Sequence, residues 1–229
     1  MDRRTLVLGV GGGLAALGGY AVIHPMVAGT PPLLSVGAAH AQDSAPPAGA
    51  DTAPNVMEMA LGDPDAPVEV IEYASFTCPH CRRFHEDVLP QIKANYIDQG
   101  HVRFIVREVY ANRPALWAGM VARCAGAERY FGVVDLIFSR QSEWTQGSPV
   151  EIAENLRRIG RLVGLDDARL DACLTDADMA QALVDASQAH AQVHDIPGTP
   201  SFVIDGELYS NMDYERFASI LDDRLQTAE

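Results

Sequence analysis

The chain has 229 residues, of which 48% are apolar and 21% charged, enough for one large domain or two small ones with a hydrophobic core. This composition excludes a disordered tail, a collagen-like fibre and a disulfide-dense miniprotein. The formal net charge is −14, from 31 acidic and 17 basic residues, which argues against electrostatic binding to nucleic acid or anionic lipid. Lys93 is the sole lysine, so catalysis through a lysine Schiff base is disfavoured as well.

The N-terminal residues 1–41 have the pattern of an export signal. Arg3-Arg4 precede an uncharged run, Thr5–Ile23, and Ala39-His40-Ala41 carries the small residues that a signal peptidase requires, which predicts cleavage after Ala41. Six glycines make the run a poor membrane-spanning helix, but a retained segment that tethers the protein to the membrane is the alternative. The paired arginines match the twin-arginine pattern only loosely, so this route and general secretion both stay open.

Residues 42–55 are predicted to be a flexible linker, because ten of the fourteen are Ala, Pro, Gly, Ser or Thr. Residues 56–110 then have the pattern of a βαβ unit. Alternating residues predict strands over 68–73 and 102–107. The helix between them begins at Pro79. Its apolar residues recur every three or four positions: Cys81, Phe84, Val88, Ile92 and Tyr96.

Residues 111–187 carry several helical patterns and no convincing strand, which predicts an all-helical insertion. In residues 188–229 the pattern returns to strand. Ser201–Ile204 and Glu207–Tyr209 flank Asp205-Gly206, a strong two-residue hairpin signal, and a closing helix follows. The fold class is therefore α/β, interrupted by a helical domain.

The spacing of Cys78 and Cys81 places both at the start of the first helix. Cys78 is expected to face solvent beside free backbone N–H groups and the positive end of the helix dipole, which favour a thiolate. Cys81 lies one turn further on the buried face and can form or open a disulfide with Cys78. His80, between them, is expected to add a hydrogen-bond donor or a positive charge near the Cys78 sulfur.

Two segments resemble the DsbA family of bacterial thiol oxidases: Phe76-Thr77-Cys78-Pro79-His80-Cys81 after a strand, and Ile196-Pro197-Gly198-Thr199-Pro200-Ser201-Phe202 before the hairpin. The resemblance covers residues 56–227 and implies a thioredoxin fold with an inserted helical domain, without cofactor or metal. It implies that Cys78 exchanges with substrate and that Cys81 resolves. It also implies a cis Pro200 against the active disulfide, preceded by a Thr199 that offers its backbone to an extended substrate.

Glu72 lies six residues before Cys78, where the family commonly has a buried acid. We expect a proton acceptor or a modulator of the local pKa; an exposed end of an edge strand is the alternative. The chain departs from the family at another position that is often acidic, on the active helix. That position is His85 here, with Glu86 next, so the electrostatics around the helix differ.

Cys124 and Cys173 lie among apolar residues of the helical block, and in an oxidising compartment we expect a structural disulfide between them. The alternatives are two separate thiols, a second redox pair, or a zinc site shared with the first cysteine pair. His190 and His194 have a metal-ligand spacing but no third ligand, and we interpret them as helix surface.

Together these features predict a periplasmic thiol:disulfide oxidoreductase that introduces disulfide bonds into exported proteins. Its partners would be reduced exported proteins and a DsbB-type membrane reoxidant. The alternatives are an isomerase or reductase on the same fold, or a metal-binding or chaperone-like module without redox turnover. Residues 42–55 are too short and proline-rich for a dimerising segment, so we expect a monomer.

Overall fold

A five-stranded mixed sheet lies at the centre of residues 56–228, the part of the chain that the computed structural model describes. The predicted export signal and linker lie outside the described residues. The strand order is β1-β3-β2-β4-β5, with β2 and β3 parallel and every other pair antiparallel. The strands are β1 (Met59–Leu61), β2 (Val68–Ala74), β3 (Val102–Glu108), β4 (Ser201–Ile204) and β5 (Glu207–Ser210).

The sheet confirms the predicted βαβ unit and hairpin, and it adds one strand that the sequence did not reveal. Strand β1 has three residues, of which only Met59 is buried, so it is too short to show an alternating pattern. One face of the sheet packs on the helix after β2 and on the C-terminal helix, α9 (Tyr214–Ala228). That face holds the main core of the α/β part.

The helix after β2 begins at Pro79, as predicted, but it is not a uniform α-helix. It consists of α1 (Pro79–Arg83), a first π-helical turn (Phe84–Val88), α2 (Leu89–Ile92) and a second π-helical turn (Lys93–Ile97). Pro90 explains the first irregularity, because proline has no N–H to donate and its ring clashes with the carbonyl of the preceding turn. The helix therefore widens just before Pro90.

The remaining helices form the predicted all-helical insertion around a second buried cluster. They are α3 (Arg113–Cys124), α4 (Ala127–Ser139), α5 (Gln141–Trp144), α6 (Pro149–Leu162), α7 (Asp167–Leu174) and α8 (Ala177–Val193). Helix α8 runs past residue 187, where we placed the end of the insertion, because no glycine or proline interrupts it before Pro197. Within residues 56–228, no helix is long and apolar enough to cross a membrane.

The C-terminal end of α8 contacts the second face of the sheet. Tyr73 of β2 donates a hydrogen bond to the carbonyl oxygen of His190, and its hydroxyl lies 2.7 Å from Nδ1 of His194. Our interpretation of these histidines as helix surface is therefore wrong for His194, which is half-buried against Tyr73. Strand and helix are 121 residues apart at this contact, a separation that local patterns do not encode.

Cys124, at the end of α3, and Cys173, in α7, are joined by a disulfide across 49 residues. Both lie in the buried cluster of the insertion. Because the two sulfurs are bonded to each other, they are not available to the alternative zinc site with Cys78 and Cys81. The disulfide holds together two helices that are otherwise distant along the chain.

Replacing both Cys124 and Cys173 with alanine is expected to lower the free energy of unfolding by about 4 kcal/mol. The cause is the freedom that the closed loop regains in the unfolded chain. Denaturant unfolding of both proteins, with the other two cysteines reduced in each, measures the difference. Wild type with every disulfide reduced is the control and should unfold like the variant, whereas an unchanged transition in the variant would contradict a stabilising role.

Candidate active site

The two cysteines of the first pair occupy different environments at the start of α1. Cys78 is the N-cap residue, with an extended backbone, and its N–H donates to the carbonyl of Ser75 at 3.0 Å. Pro79 follows as the first helical residue. An N–H at this position has no acceptor within the helix, so the N–H that proline lacks costs no hydrogen bond. Cys78 is half-buried and Cys81 is fully buried, and both carry free thiols. Only one of the two sulfurs can therefore meet another protein.

Several hydrogen bonds stabilise Cys78 as a thiolate. They lower its pKa to about 5, with the bond from the Cys81 thiol as the largest cause and burial acting in the opposite direction. The Thr199 side chain and the backbone N–H groups of Cys81 and His80 lower the pKa further. These N–H groups are the unpaired donors of the first helical turn. At neutral pH the Cys78 sulfur is thus negatively charged.

The pKa of Cys81 is shifted in the opposite direction, upward. Its hydrogen bond to Cys78, its burial and the nearby charge of Glu72 all raise its pKa far above the ordinary value for cysteine. The reduced pair therefore consists of a Cys78 thiolate and a Cys81 thiol. The proton on Cys81 is what makes it a donor to Cys78, so the two shifts have a common origin.

The imidazole of His80 does not make the contact that the sequence suggests. The side chain is exposed, and its Nδ1 lies 2.6 Å from Nη2 of Arg83, one helical turn further on. Side chains three residues apart share a helix face, which explains this pairing. His80 acts on Cys78 through its backbone N–H instead.

The loop before β4 lies against Cys78. The peptide between Thr199 and Pro200 is cis, and Pro200 is buried. The Cys78 sulfur lies 3.2 Å from the carbonyl oxygen of Thr199, while Ser201 fixes the loop by donating to the carbonyl of Gly198. The fold thus brings together the two segments on which the family resemblance rests, 121 residues apart.

Glu72 lies beneath the cysteine pair, in the middle of the sheet. Its strand is paired on both sides, with Glu72 opposite Val106 and Phe202, so the alternative of an exposed edge position does not hold. The Glu72 side chain is 0% exposed, and its Oε2 lies 2.8 Å from Nε2 of His85, whose side chain is 2% exposed. The carboxyl group and the imidazole form a buried pair close to Cys81.

Gln141, a buried residue at the start of α5, belongs to the site but was missed by the sequence analysis. Its Nε2 donates to the carbonyl oxygens of Phe76 at 2.8 Å and Cys78 at 2.9 Å, so the helical insertion holds the segment that carries the reactive sulfur. A signal was present, since Gln141 lies three residues from both Phe138 and Trp144 on a buried face. A polar residue in such a position requires buried partners.

This arrangement can cycle between a dithiol and a disulfide without help from a bound group. A nucleophilic sulfur stands at the surface, a second thiol lies one turn behind it, and an ionisable pair lies behind the second thiol. In the described part of the chain, no group of three or more His, Cys, Asp or Glu side chains is arranged to hold a metal ion.

The amino-acid sequence is similar to those of known proteins. A sequence model of the thioredoxin family matches residues 54–223. A putative protein-disulfide oxidoreductase of Rickettsia bellii is 30% identical over 173 residues, which are 75% of this chain and 66% of that protein. Its counterpart in Rickettsia conorii is 31% identical over 170 residues, 74% of this chain and 61% of the relative. The chain therefore spans somewhat less than two thirds of the length of these relatives.

Solved structures have the same fold. The structure of α-DsbA1 from Wolbachia pipientis superposes with a TM-score of 0.70 at 28% identity, over 77% of this chain and 95% of that one. BdbD from Bacillus subtilis, at 20% identity, shares the fold with a TM-score of 0.65 over 74% of this chain and 93% of its own. The family match, the cysteine pair and the cis-proline loop lead to one conclusion: the chain belongs to the thioredoxin family, as a DsbA-like member with a helical insertion.

Proposed function

We propose that this protein is a thiol:disulfide oxidoreductase that introduces disulfide bonds into exported proteins through Cys78 and Cys81. The observation that carries the proposal is the unequal pair, a partly exposed sulfur with a pKa of about 5 hydrogen-bonded to a buried thiol. A low thiol pKa stabilises the reduced form, and a stable reduced form makes its disulfide a stronger oxidant. The unequal pair therefore favours oxidation of substrates.

The reaction begins when a substrate thiolate attacks the Cys78 sulfur of the oxidised pair. The bond between Cys78 and Cys81 breaks, a mixed disulfide forms, and Cys81 leaves as a thiolate that takes up a proton. The second substrate thiolate then attacks the substrate sulfur of the mixed disulfide. It releases Cys78 as a thiolate, and two electrons have passed from the substrate to the protein.

The surroundings of the pair supply the other roles. Thr199, with its carbonyl oxygen beside the Cys78 sulfur, offers its backbone to an extended substrate segment, and Pro200 shapes that surface. Glu72 is the proton acceptor for Cys81, whose thiol lies near its carboxylate. Pro79 and His80 start the helix that supplies the N–H groups around Cys78.

We also propose that residues 1–41 are an export signal cleaved after Ala41 and that the mature protein is a periplasmic monomer; an uncleaved signal would tether it to the membrane instead. Reduced exported proteins are its substrates, and a DsbB-type membrane protein restores its disulfide. The rickettsial relatives are named as putative protein-disulfide oxidoreductases, which supports a disulfide-exchange partner of protein class.

Serine substitutions should distinguish the two sulfurs. Cys78→Ser is expected to abolish oxidation of a reduced substrate protein, because the buried sulfur cannot be reached. Cys81→Ser is expected to accumulate mixed disulfides when it is incubated with an oxidised, disulfide-bonded protein, because Cys78 still attacks that disulfide and no Cys81 thiol is left to release the product. Non-reducing electrophoresis after acid quenching measures both effects. Accumulation with Cys78→Ser instead would reverse the assignment.

Titration of the thiolate ultraviolet absorbance in the reduced protein should give a midpoint near pH 5. Cys81→Ala is expected to raise this midpoint by at least about one pH unit, because it removes the largest stabilising hydrogen bond. Cys81→Ser is the matched control, since its hydroxyl still donates. His80→Ala keeps the backbone N–H and should change the midpoint less than Cys81→Ala. A larger effect of His80→Ala would mean that the imidazole, not the backbone, stabilises the thiolate.

The equilibrium with glutathione should depend on pH with a definite sign. Reduction of the pair by two glutathione molecules releases one proton when Cys78 is a thiolate, so the equilibrium constant for reduction should rise about tenfold per pH unit between about 5 and 8. Below the Cys78 pKa of about 5, it should level off. Thiol alkylation at fixed glutathione ratios measures the constant. A pair that remains mostly oxidised at the glutathione ratio of an oxidising compartment would indicate a reductase instead.

A further inference from the structure

The cis-proline loop, residues 195–200, is held at both of its ends by one residue, Tyr73. The loop follows α8 and precedes β4. Before the loop, the Tyr73 hydroxyl donates a hydrogen bond to the carbonyl oxygen of His190, 3.0 Å away, and lies 2.7 Å from Nδ1 of His194. After the loop, the backbone of Tyr73 lies opposite Ser201 in the pairing of β2 with β4. Tyr73 therefore contacts the chain on both sides of the loop.

The Tyr73 hydroxyl is fixed in its position by the sheet. The residue is 0% exposed, and Nη1 of Arg107 donates to its hydroxyl at 3.2 Å while Nη2 donates to Glu58 at 3.0 Å. Burial and the charge of Arg107 lower the pKa of His194, so its ring is neutral at neutral pH. With the proton of that ring on Nδ1, the hydroxyl donates one hydrogen bond and accepts two, which is its full capacity.

The end of α8 leads into the loop through a defined turn. Asp195 has a positive φ of 49°, its N–H donates to the carbonyl of Gln192, and the N–H of Ile196 donates to the carbonyl of Ala191. These two bonds around a left-handed residue form a Schellman motif, which ends the helix in a fixed direction. Ile196 then packs against the buried cluster that contains Tyr73. The position of the helix end thus determines where the loop begins.

The other part of the loop lies against the reactive sulfur. Ser201 donates to the carbonyl of Gly198, and the carbonyl oxygen of Thr199 lies 3.2 Å from the Cys78 sulfur. Tyr73 precedes Cys78 by five residues in the segment that runs from β2 to α1. One residue therefore connects the segment that carries the nucleophile with the loop that faces it.

We propose that Tyr73 is a positioning residue for extended protein substrates, because its hydroxyl fixes the cis-proline loop relative to Cys78. The inference rests on the proposed function and adds the substrate class, a cysteine in an extended segment of polypeptide. Such a segment bonds to the loop backbone as an added strand, and its sulfur reaches Cys78 only when the loop is in place. A small dithiol has no peptide backbone to align, so its reaction does not depend on Tyr73.

The test compares two thiols that reduce the oxidised full-length protein: a short unstructured peptide with two cysteines, and dithiothreitol. Tyr73→Phe removes the hydroxyl and keeps the ring. It should lower the second-order rate constant with the peptide by about threefold to tenfold, the effect of one lost hydrogen bond, and change the rate constant with dithiothreitol by less than about twofold. Acid quenching and thiol alkylation measure both rate constants.

Tyr96→Phe is the matched control. It also removes a tyrosine hydroxyl, one that donates to Asp222 at 2.8 Å between the second π-helical turn and α9, away from the cis-proline loop. Both of its rate constants should equal those of wild type. A general loss of packing in Tyr73→Phe would instead lower both rate constants together.

A variant of the facing residue tests the same contact from the other side and does not depend on the folding of Tyr73→Phe. His194→Phe keeps an aromatic ring but removes Nδ1, and it should also slow the peptide reaction selectively. Combined with Tyr73→Phe, it should add no further loss, because the contact is already broken.

Three results would overturn the inference: an unchanged peptide reaction in Tyr73→Phe and His194→Phe, equal slowing with both thiols, or additive losses in the double variant. A wild-type protein that oxidises dithiothreitol but not the peptide would overturn it as well and leave the proposed function standing. If wild type oxidised neither thiol, the proposed function itself would fail, an outcome distinct from the others.

Discussion

The hydrogen bond between the Cys81 thiol and the Cys78 sulfur is the interaction on which the chemistry of this site depends. It requires the Cys78 sulfur to lie at the N-terminus of a helix. It also requires Cys81 to be buried one turn further on and to keep its proton. The fold meets both requirements. Strand β2 ends at Ala74 and leads Cys78 to the start of α1, and the core of the insertion encloses Cys81. The low pKa of Cys78 and the high pKa of Cys81 thus both depend on the hydrogen bond between the two sulfurs.

The helical insertion contributes directly to the site as well as covering it. Gln141 holds two carbonyl groups of the segment that carries Cys78, and the Phe138 ring packs, tilted, against the imidazole that pairs with Glu72. The sheet supplies Glu72, and the loop before β4 supplies the cis-proline surface. The site is thus assembled from three separate stretches of chain, and its geometry depends on the packing of the insertion against the sheet.

Features with a local pattern could be read from the sequence. The alternation of residues 68–73, the proline at the start of α1 and the turn at Asp205-Gly206 each depend on neighbours in the chain, and the structure confirms the strands, helix and hairpin that they predict. Features set by distant contacts could not. The partners of Gln141 lie more than 60 residues away, and Tyr73 contacts His194 across 121 residues.

The disulfide between α3 and α7 has a consequence for the maturation of this protein. Its formation removes two electrons from a newly made chain, so the bond is present only after an oxidant has acted on Cys124 and Cys173. The newly made chain contains four thiols and therefore belongs to the same chemical class as its proposed substrates. A mature copy that oxidises a nascent one would make the maturation of this protein self-amplifying.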